Sequence, residues 1–310
     1  MSAEAEQVES GLWKVLAPNP SPMTGRGTNS YVVGGDDVVV VDPGPDDPRH
    51  LDALLGRAGD GIRYVVVTHA HLDHAAGARR LTERVGATLL GPPPAEGFAP
   101  DAVLADGDVV AVPGWRLEAV ETPGHCAHHL CFVLERTPAA LDASPEGDGE
   151  RREAAGVGGC GGTVVPGNLR PSRKRILLSG DHVLGGSPTV IAAPGGDMAA
   201  YLASLGRIRA LDPPIDSIAP GHGPIVDDPR AALDEYVAHR LEREEEVVVA
   251  LARLSRATPG QIAAVVYPAL EPGLGKAATL QVWAHLRKLG DEGRAWSADP
   301  GRVDAQWSSV

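Results

Sequence analysis

Residues 65–77 read VVVTHAHLDHAAG. The valine run is apolar and β-branched, as expected of a buried strand. Directly behind it, three histidines and an aspartate fall between His69 and His74. In an open loop at a strand end, His69 and His71 can converge on one ion. Asp73 and His74 then stand at the mouth of the next helix and can face a second. Neutral imidazoles with a carboxylate suit Zn²⁺. A lone loop histidine is usually satisfied by hydrogen bonds; so dense a cluster behind a buried strand points to metal.

The same context recurs three times downstream. WRLEAVETPGH (115–125) places His125 after a strand and a Pro-Gly turn. RILLSGDH (175–182) places Asp181 after a strand and a glycine, and DSIAPGHG (216–223) sets His222 between glycines. Glycine beside a ligand lets the backbone approach closely and adopt unusual dihedrals.

Taken in order, THAHLDHAAG, TPGH, SGDH and PGHG resemble the metallo-β-lactamase superfamily. The resemblance implies an α/β fold, α+β by layers: a four-layer αββα sandwich with a dinuclear metal site at the sheet edge. It implies His69, His71 and His125 on one metal, Asp73, His74 and His222 on the other, and Asp181 bridging. A hydroxide between the ions would be the nucleophile, with Asp73 orienting it and handling its proton. Two Zn²⁺ are the expected cofactors, with Mn²⁺ or Fe as alternatives. The likeness extends further, to the β-lactamase-like protein 2 group. It is carried by NPSPMTGRGTNSYVVGG (19–35), TPGHCAHH (122–129), AHRLEREEEVVVAL (238–251), HLRKL (285–289) and Trp307. Two departures stand out. Ala76 occupies a position where glycine is usual, which predicts a slightly altered helix start and no loss of metal. Cys126 follows His125 where Thr or Ser is frequent, and it reads as a buried, inert thiol ahead of a weak extra ligand. His128 and His129 lie near the expected pocket mouth, with substrate contact and ordinary packing both open.

The rest of the chain fits this frame. Strands are expected at 31–35, 36–42, 63–68, 87–91, 115–122, 130–135, 175–180 and 216–221, and helices at 48–58, 74–85 and 197–210. The stretch 137–174 is rich in Gly, Pro and charge and reads as a disordered insertion joining two neighbouring strands. From residue 229 the texture changes. One long charged helical pattern is followed by a helix capped by Thr258, a third helix ending at Gly290 and a hairpin around DPG (299–301). That is a winged-helix pattern. The expected division is therefore a catalytic domain over 1–228 and a helix plus winged helix over 229–310.

The net charge is −13, with residues 237–310 balanced and the acidic excess before them. This argues against broad binding of a polyanion. The acidic start MSAEAEQVESGLWKVL has no apolar signal-type core, and no run spans a membrane, so a cytoplasmic location is expected. Three cysteines, Cys126, Cys131 and Cys160, do not make a disulfide framework.

The expected reaction is hydrolysis by two metal ions. Single-stranded RNA phosphodiester cleavage is the first expectation, on the subgroup resemblance. A thioesterase or glyoxalase II-like acyl hydrolase is the alternative, favoured by the acidic domain and by aromatics at only 4%. A metal-sensing, DNA-binding regulator is the third reading, disfavoured because a recognition helix needs a basic face; no duplex DNA partner is expected. Oligomeric state is not legible.

Overall fold

The computed structural model describes residues 5–137, 174–270 and 273–310. Most of the 137–174 insertion, including Cys160, therefore lies outside the described residues. The first sheet has seven strands in sequential order: β1 (Ala5–Glu9), β2 (Leu12–Leu16), β3 (Asn29–Gly34), β4 (Val38–Val41), β5 (Ile62–Val66), β6 (Thr88–Gly91) and β7 (Ala102–Val103). The second has five, ordered β12-β11-β10-β9-β8: β8 (Val109–Val112), β9 (Trp115–Glu121), β10 (Leu130–Arg136), β11 (Arg175–Gly180) and β12 (Ser217–Pro220). β10 and β11 pair antiparallel, Phe132 opposite Leu178, so the insertion does join neighbouring strands.

Strand alternation builds the layers. In β4, Val39 and Val41 face the second sheet, packing with Leu117, Phe132 and Leu178. Val38 and Val40 face the opposite way, onto α1 (Pro48–Ala58) and α3 (Ala78–Val85) through Leu51, Leu54 and Leu81. A strand covered on both faces can be all valine, which is why VVVV shows no polar alternation. The outer face of the second sheet is covered by α4 (Met198–Arg209) and by α5 (Pro229–Leu254), through residues such as Tyr201, Leu205, Leu233 and Val247. The order of layers is thus helix, sheet, sheet, helix.

Two expectations need adjusting. The helix expected over 74–85 is two helices: α2 (Leu72–Ala75) and α3, separated at Ala76–Gly77. Ala76 adopts ordinary right-handed backbone, so its methyl costs nothing there. A Cβ on Gly77 would lie 2.9 Å from Leu51 Cδ2 and 3.0 Å from the Pro45 carbonyl, so close packing breaks the helix at this point. The strands β1, β2, β7 and β8 were not expected. β1 is acidic and largely exposed, held by pairing with β2 rather than by burial.

After α5 come α6 (Pro259–Val266), α7 (Gly275–Asp291) and the hairpin β13 (Ala295–Ser297) with β14 (Trp307–Ser309). Thr258 and Gln261 form a reciprocal capping box, as the sequence suggested. The hairpin connection runs over 298–306, so Pro300-Gly301 is one turn within a longer loop. Among the described residues no helix is long and apolar enough to cross a membrane.

One buried charge ties these helices together. Glu244 on α5 meets Lys288 Nζ at 2.9 Å, Arg294 Nη1 at 3.0 Å and the His285 ring at 3.6 Å. Burial alone would raise its pKa, but His285 and Lys288 pull it from 4.5 down to about 2. A carboxylate so depressed adds stability above its unfolded pKa, which is lost as pH falls toward the folded value. Glu244→Gln should therefore cost on the order of 2 kcal/mol at pH 7, after allowing for solvent screening of Arg294. The variant's deficit should shrink between pH 4.5 and about 2, read by thermal melts against pH.

Candidate metal centre

All seven expected residues lie just beyond strand ends, five in loops and two on α2, and meet at one edge of the sandwich. His69 and His71 follow β5, Asp73 and His74 lie on α2, His125 follows β9, Asp181 follows β11 and His222 follows β12. They fall into two overlapping sets. His69, His71, His125 and Asp181 place their donor atoms within 4.8 Å of one another, and so do Asp73, His74, Asp181 and His222. Either set could hold a metal ion, and Asp181 is common to both. In the first, His71 Nδ1 lies 2.9 Å from His69 Nε2 and 3.0 Å from His125 Nε2. In the second, Asp181 Oδ1 lies 3.2 Å from His74 Nε2 and 3.3 Å from His222 Nε2, while Asp73 Oδ2 lies 3.2 Å from His222 Nε2.

Hydrogen bonds on the far side of each ring choose the tautomer. His125 Nδ1 donates to the Val190 carbonyl at 3.0 Å and His222 Nδ1 to the Gly27 carbonyl at 3.1 Å. His74 Nδ1 bonds Asp42 Oδ2 at 2.8 Å. His69 Nδ1 bonds the Thr68 hydroxyl at 3.0 Å, and that hydroxyl donates to Asp42 Oδ2 at 2.8 Å. Four Nε2 atoms are thereby turned inward, the arrangement that orients imidazole ligands. His74 Nε2 and Asp181 Oδ1 are buried without a well-formed hydrogen bond. Lone pairs aimed at one another, and buried polar atoms left without partners, fit a cation set among them.

Electrostatics divides the two sets. Burial pushes the pKa of His69 well below the usual imidazole range, lowers that of His71, and takes His125 to about 4, so these rings are neutral at pH 7. Burial opposes charge at His74 and His222 too. There the carboxylates prevail: Asp181 and Asp42 raise His74 well above its usual value, and Asp181 with Asp73 take His222 to about 9. Burial likewise opposes ionisation of Asp181, but His74 and His222 hold its pKa well below the ordinary carboxylate range.

Sequence reasoning missed two organising residues. Asp42, at the end of β4, accepts from the Thr68 backbone N–H at 2.7 Å as well as from the groups above, and it sits at φ 50°. A non-glycine residue held at positive φ stores strain that its partners must offset. Its signal was present: VVVVD is one more strand ending in a carboxylate. His129, expected at the pocket mouth, is 1% exposed. Its Nε2 accepts from the Asp181 backbone N–H at 3.2 Å, and its Nδ1 bonds the Thr122 hydroxyl at 2.9 Å. His128 is the exposed one of the pair. Cys126 is no ligand in either set; burial pushes its thiol up to about 12. His50, His182, His239 and His285 also lie outside both sets. Asp42→Asn should weaken metal binding by about 10–100-fold with the fold retained, as measured by competition against a chelator.

A family model of the metallo-beta-lactamase superfamily matches residues 23–141, and one of a beta-lactamase associated winged helix domain matches residues 258–307. The chain belongs to the metallo-beta-lactamase superfamily. It is a hydrolase of that superfamily with a winged helix behind the catalytic fold. A Beta-lactamase-like protein 2 homolog from Caenorhabditis elegans is 29% identical over 93% of this chain and 87% of its own length. An atrochrysone carboxyl ACP thioesterase from Aspergillus fumigatus is 27% identical over 82% of this chain and 69% of its own. The fold matches a beta-lactamase domain protein from Burkholderia ambifaria with a TM-score of 0.75 at 20% identity, covering 100% of this chain and 94% of that one.

Proposed function

We propose that the chain hydrolyses a thioester or a related acyl compound at a centre of two zinc-type ions. His69, His71 and His125 would hold one ion, Asp73, His74 and His222 the other, and Asp181 both. The chemistry such ions supply is Lewis acidity, which makes water acidic near pH 7 and offsets charge building on the scissile oxygen. The chain's own part is to place and deprotonate. Asp73 is held ionised: burial opposes this, but pairing with His222 lowers its pKa. Its side chain is 29% exposed, so it reaches the open face and can take up a proton there. Asp181, locked by His129, fixes the spacing of the two sets. Cys126, kept as a thiol, supplies no nucleophile.

The observation that carries an acyl substrate is the character of the surrounding loops. Segments 17–28, 68–76, 92–98, 122–129, 181–191 and 220–226 contain a single Lys or Arg between them, Arg26. Leu72, between the ligands His71 and Asp73, is 67% exposed, and Met23 is 52% exposed. A polynucleotide needs a positive track and aromatic platforms; an acyl group needs apolar walls. The likeness to a named ACP thioesterase points the same way. Single-stranded RNA cleavage is the second reading, supported by likeness to the protein 2 homolog across both the catalytic fold and the winged helix. Duplex DNA recognition has little support: on α7, Lys288 is engaged by Glu244 and Glu292, and Arg287 bonds the Pro194 carbonyl and covers Trp283.

S-lactoylglutathione, bis-p-nitrophenyl phosphate and a short single-stranded RNA, assayed with added zinc or manganese, separate the readings. We expect kcat/KM for the thioester to exceed the other two by about 100-fold. A preference for RNA of that size would replace the acyl reading by the second one.

A further inference from the structure

The segment behind Asp181 is neither helix nor strand from His182 to Val190, so its course is set by what bonds it. Two side chains of α5, one turn apart on the same face, do much of this. Tyr236 Oη accepts from the Leu184 N–H at 2.8 Å and donates to the Ser187 carbonyl at 2.7 Å. Arg240 Nη2 donates to the Thr189 carbonyl. The next carbonyl, that of Val190, accepts from His125 Nδ1 at 3.0 Å, and the Thr189 hydroxyl lies 3.4 Å from the same nitrogen. We propose that Arg240 is a positioning residue for the metal centre: by fixing Thr189 it keeps the Val190 carbonyl against His125 Nδ1 and so aims His125 Nε2 into its donor set. The proposal rests on the reading of His69, His71, His125 and Asp181 as a set that holds metal.

Three observations carry it. The first is the lack of a substitute. Among the described residues, two side chains bond the Pro188–Val190 backbone, Arg240 at Thr189 and His125 at Val190. The earlier part of the segment is tied elsewhere, since the Gly185 N–H donates to the His222 carbonyl at 2.9 Å. Loss of Arg240 therefore frees the end at His125 and leaves the end at His222 held. The second is that Arg240 is itself fixed. It is 1% exposed, its guanidinium lies 5.4 Å from the Tyr201 ring centroid, and Nη1 approaches Gln281 Oε1 at 3.4 Å. Gln281 is oriented in turn, its Nε2 donating to Tyr267 Oη at 2.9 Å. The third is charge. Among the described residues no carboxylate pairs with Arg240, and its buried Nε has no hydrogen-bond partner. A buried charge so unmatched is costly. Its bond to the Thr189 carbonyl is charge-assisted, with no carboxylate competing for the guanidinium.

Zinc affinity of the full chain, measured by competition against a chelator, tests this in two backgrounds that each keep one donor set. In His222→Ala the set of His69, His71, His125 and Asp181 is intact. There Arg240→Met should weaken zinc by about tenfold, the lower end of the cost of losing an orienting partner, because Arg240 acts one residue away from the bond to His125. In His125→Ala the set of Asp73, His74, Asp181 and His222 is intact. There the same substitution should leave affinity within about twofold, as expected of sites that do not couple. Arg240→Lys keeps a donor but not the fixed fork, and should bring the first affinity back to within about threefold of Arg. Circular dichroism checks that each variant folds. Equal weakening in the two backgrounds makes Arg240 a residue of the fold at large and overturns the proposal, as does unchanged affinity in both. If Arg240→Met does not fold, Arg240→Lys carries the test: a loss confined to the His222→Ala background supports positioning, and a loss in both or in neither overturns it. A wild-type chain that binds no zinc overturns the metal reading itself, and the proposal with it.

Discussion

Asp181→Ala should take the bound metal from close to two ions per chain to a small fraction of that, and should lower kcat/KM by at least ~10³-fold. The size follows from position. Asp181 belongs to both donor sets, with Oδ1 at 3.2 Å and 3.3 Å from the rings of His74 and His222 and Oδ2 at 3.8 Å from His125 Nε2. It is 8% exposed, so no bulk water replaces the lost oxygens cheaply. The set around His74 and His222, whose rings stand 5.1 Å apart, also loses the negative charge that would offset a bound cation. His222→Ala is the informative contrast. His222 belongs to one set only, so that variant should lose about one ion and keep the other. Elemental analysis of dialysed protein, with circular dichroism to check folding, reads both. Full metal retention in the two variants would refute the assignment of these residues.

The convergence of these residues on one edge was legible because the dense HAHLDH cluster follows a valine strand, and His125, Asp181 and His222 each follow a strand with glycine nearby. What stayed hidden depends on pairing across the sheets. Asp42 reads as the last residue of the strand expected over 36–42 until β4 lies parallel to β5, which brings its carboxylate to Thr68 and His74. His129 reads as a loop histidine until β10 starting at Leu130 draws it inward beneath Asp181. The exposed strand β1 escaped notice because its stability lies in hydrogen bonding, which leaves no apolar alternation in AEQVE. Substrate choice was the least legible. The loops around the centre come from segments as far apart as Thr28 and His222, which meet as a β-bridge, and no local motif marks surfaces that meet only in the fold.

Gly124→Ala should lower stability by about 4 kcal/mol and Tm by roughly 10 °C. Gly124 precedes His125 in TPGH and sits at φ 135°, where an L-residue is strained. Space is the larger obstacle. A Cβ there would lie 2.3 Å from Tyr201 Cα and 2.4 Å from Tyr201 N, both backbone atoms of α4 that cannot rotate away. The two segments are also bonded: Asp197 N–H donates to the Gly124 carbonyl at 2.8 Å, and Ser204 Oγ donates to the Pro123 carbonyl at 2.8 Å. The methyl must therefore lift the turn from α4, and His125 moves with it. Gly107→Ala is the control. Its φ is 81°, so it carries backbone strain, but nothing lies within 4 Å of the added Cβ. It should cost only about 1 kcal/mol. If the two variants melt together, close approach to α4 is not what seats the TPGH turn. If Gly124→Ala falls far below Gly107→Ala and loses metal from the His125 set first, the glycine is there to let a helix backbone press a ligand loop into place.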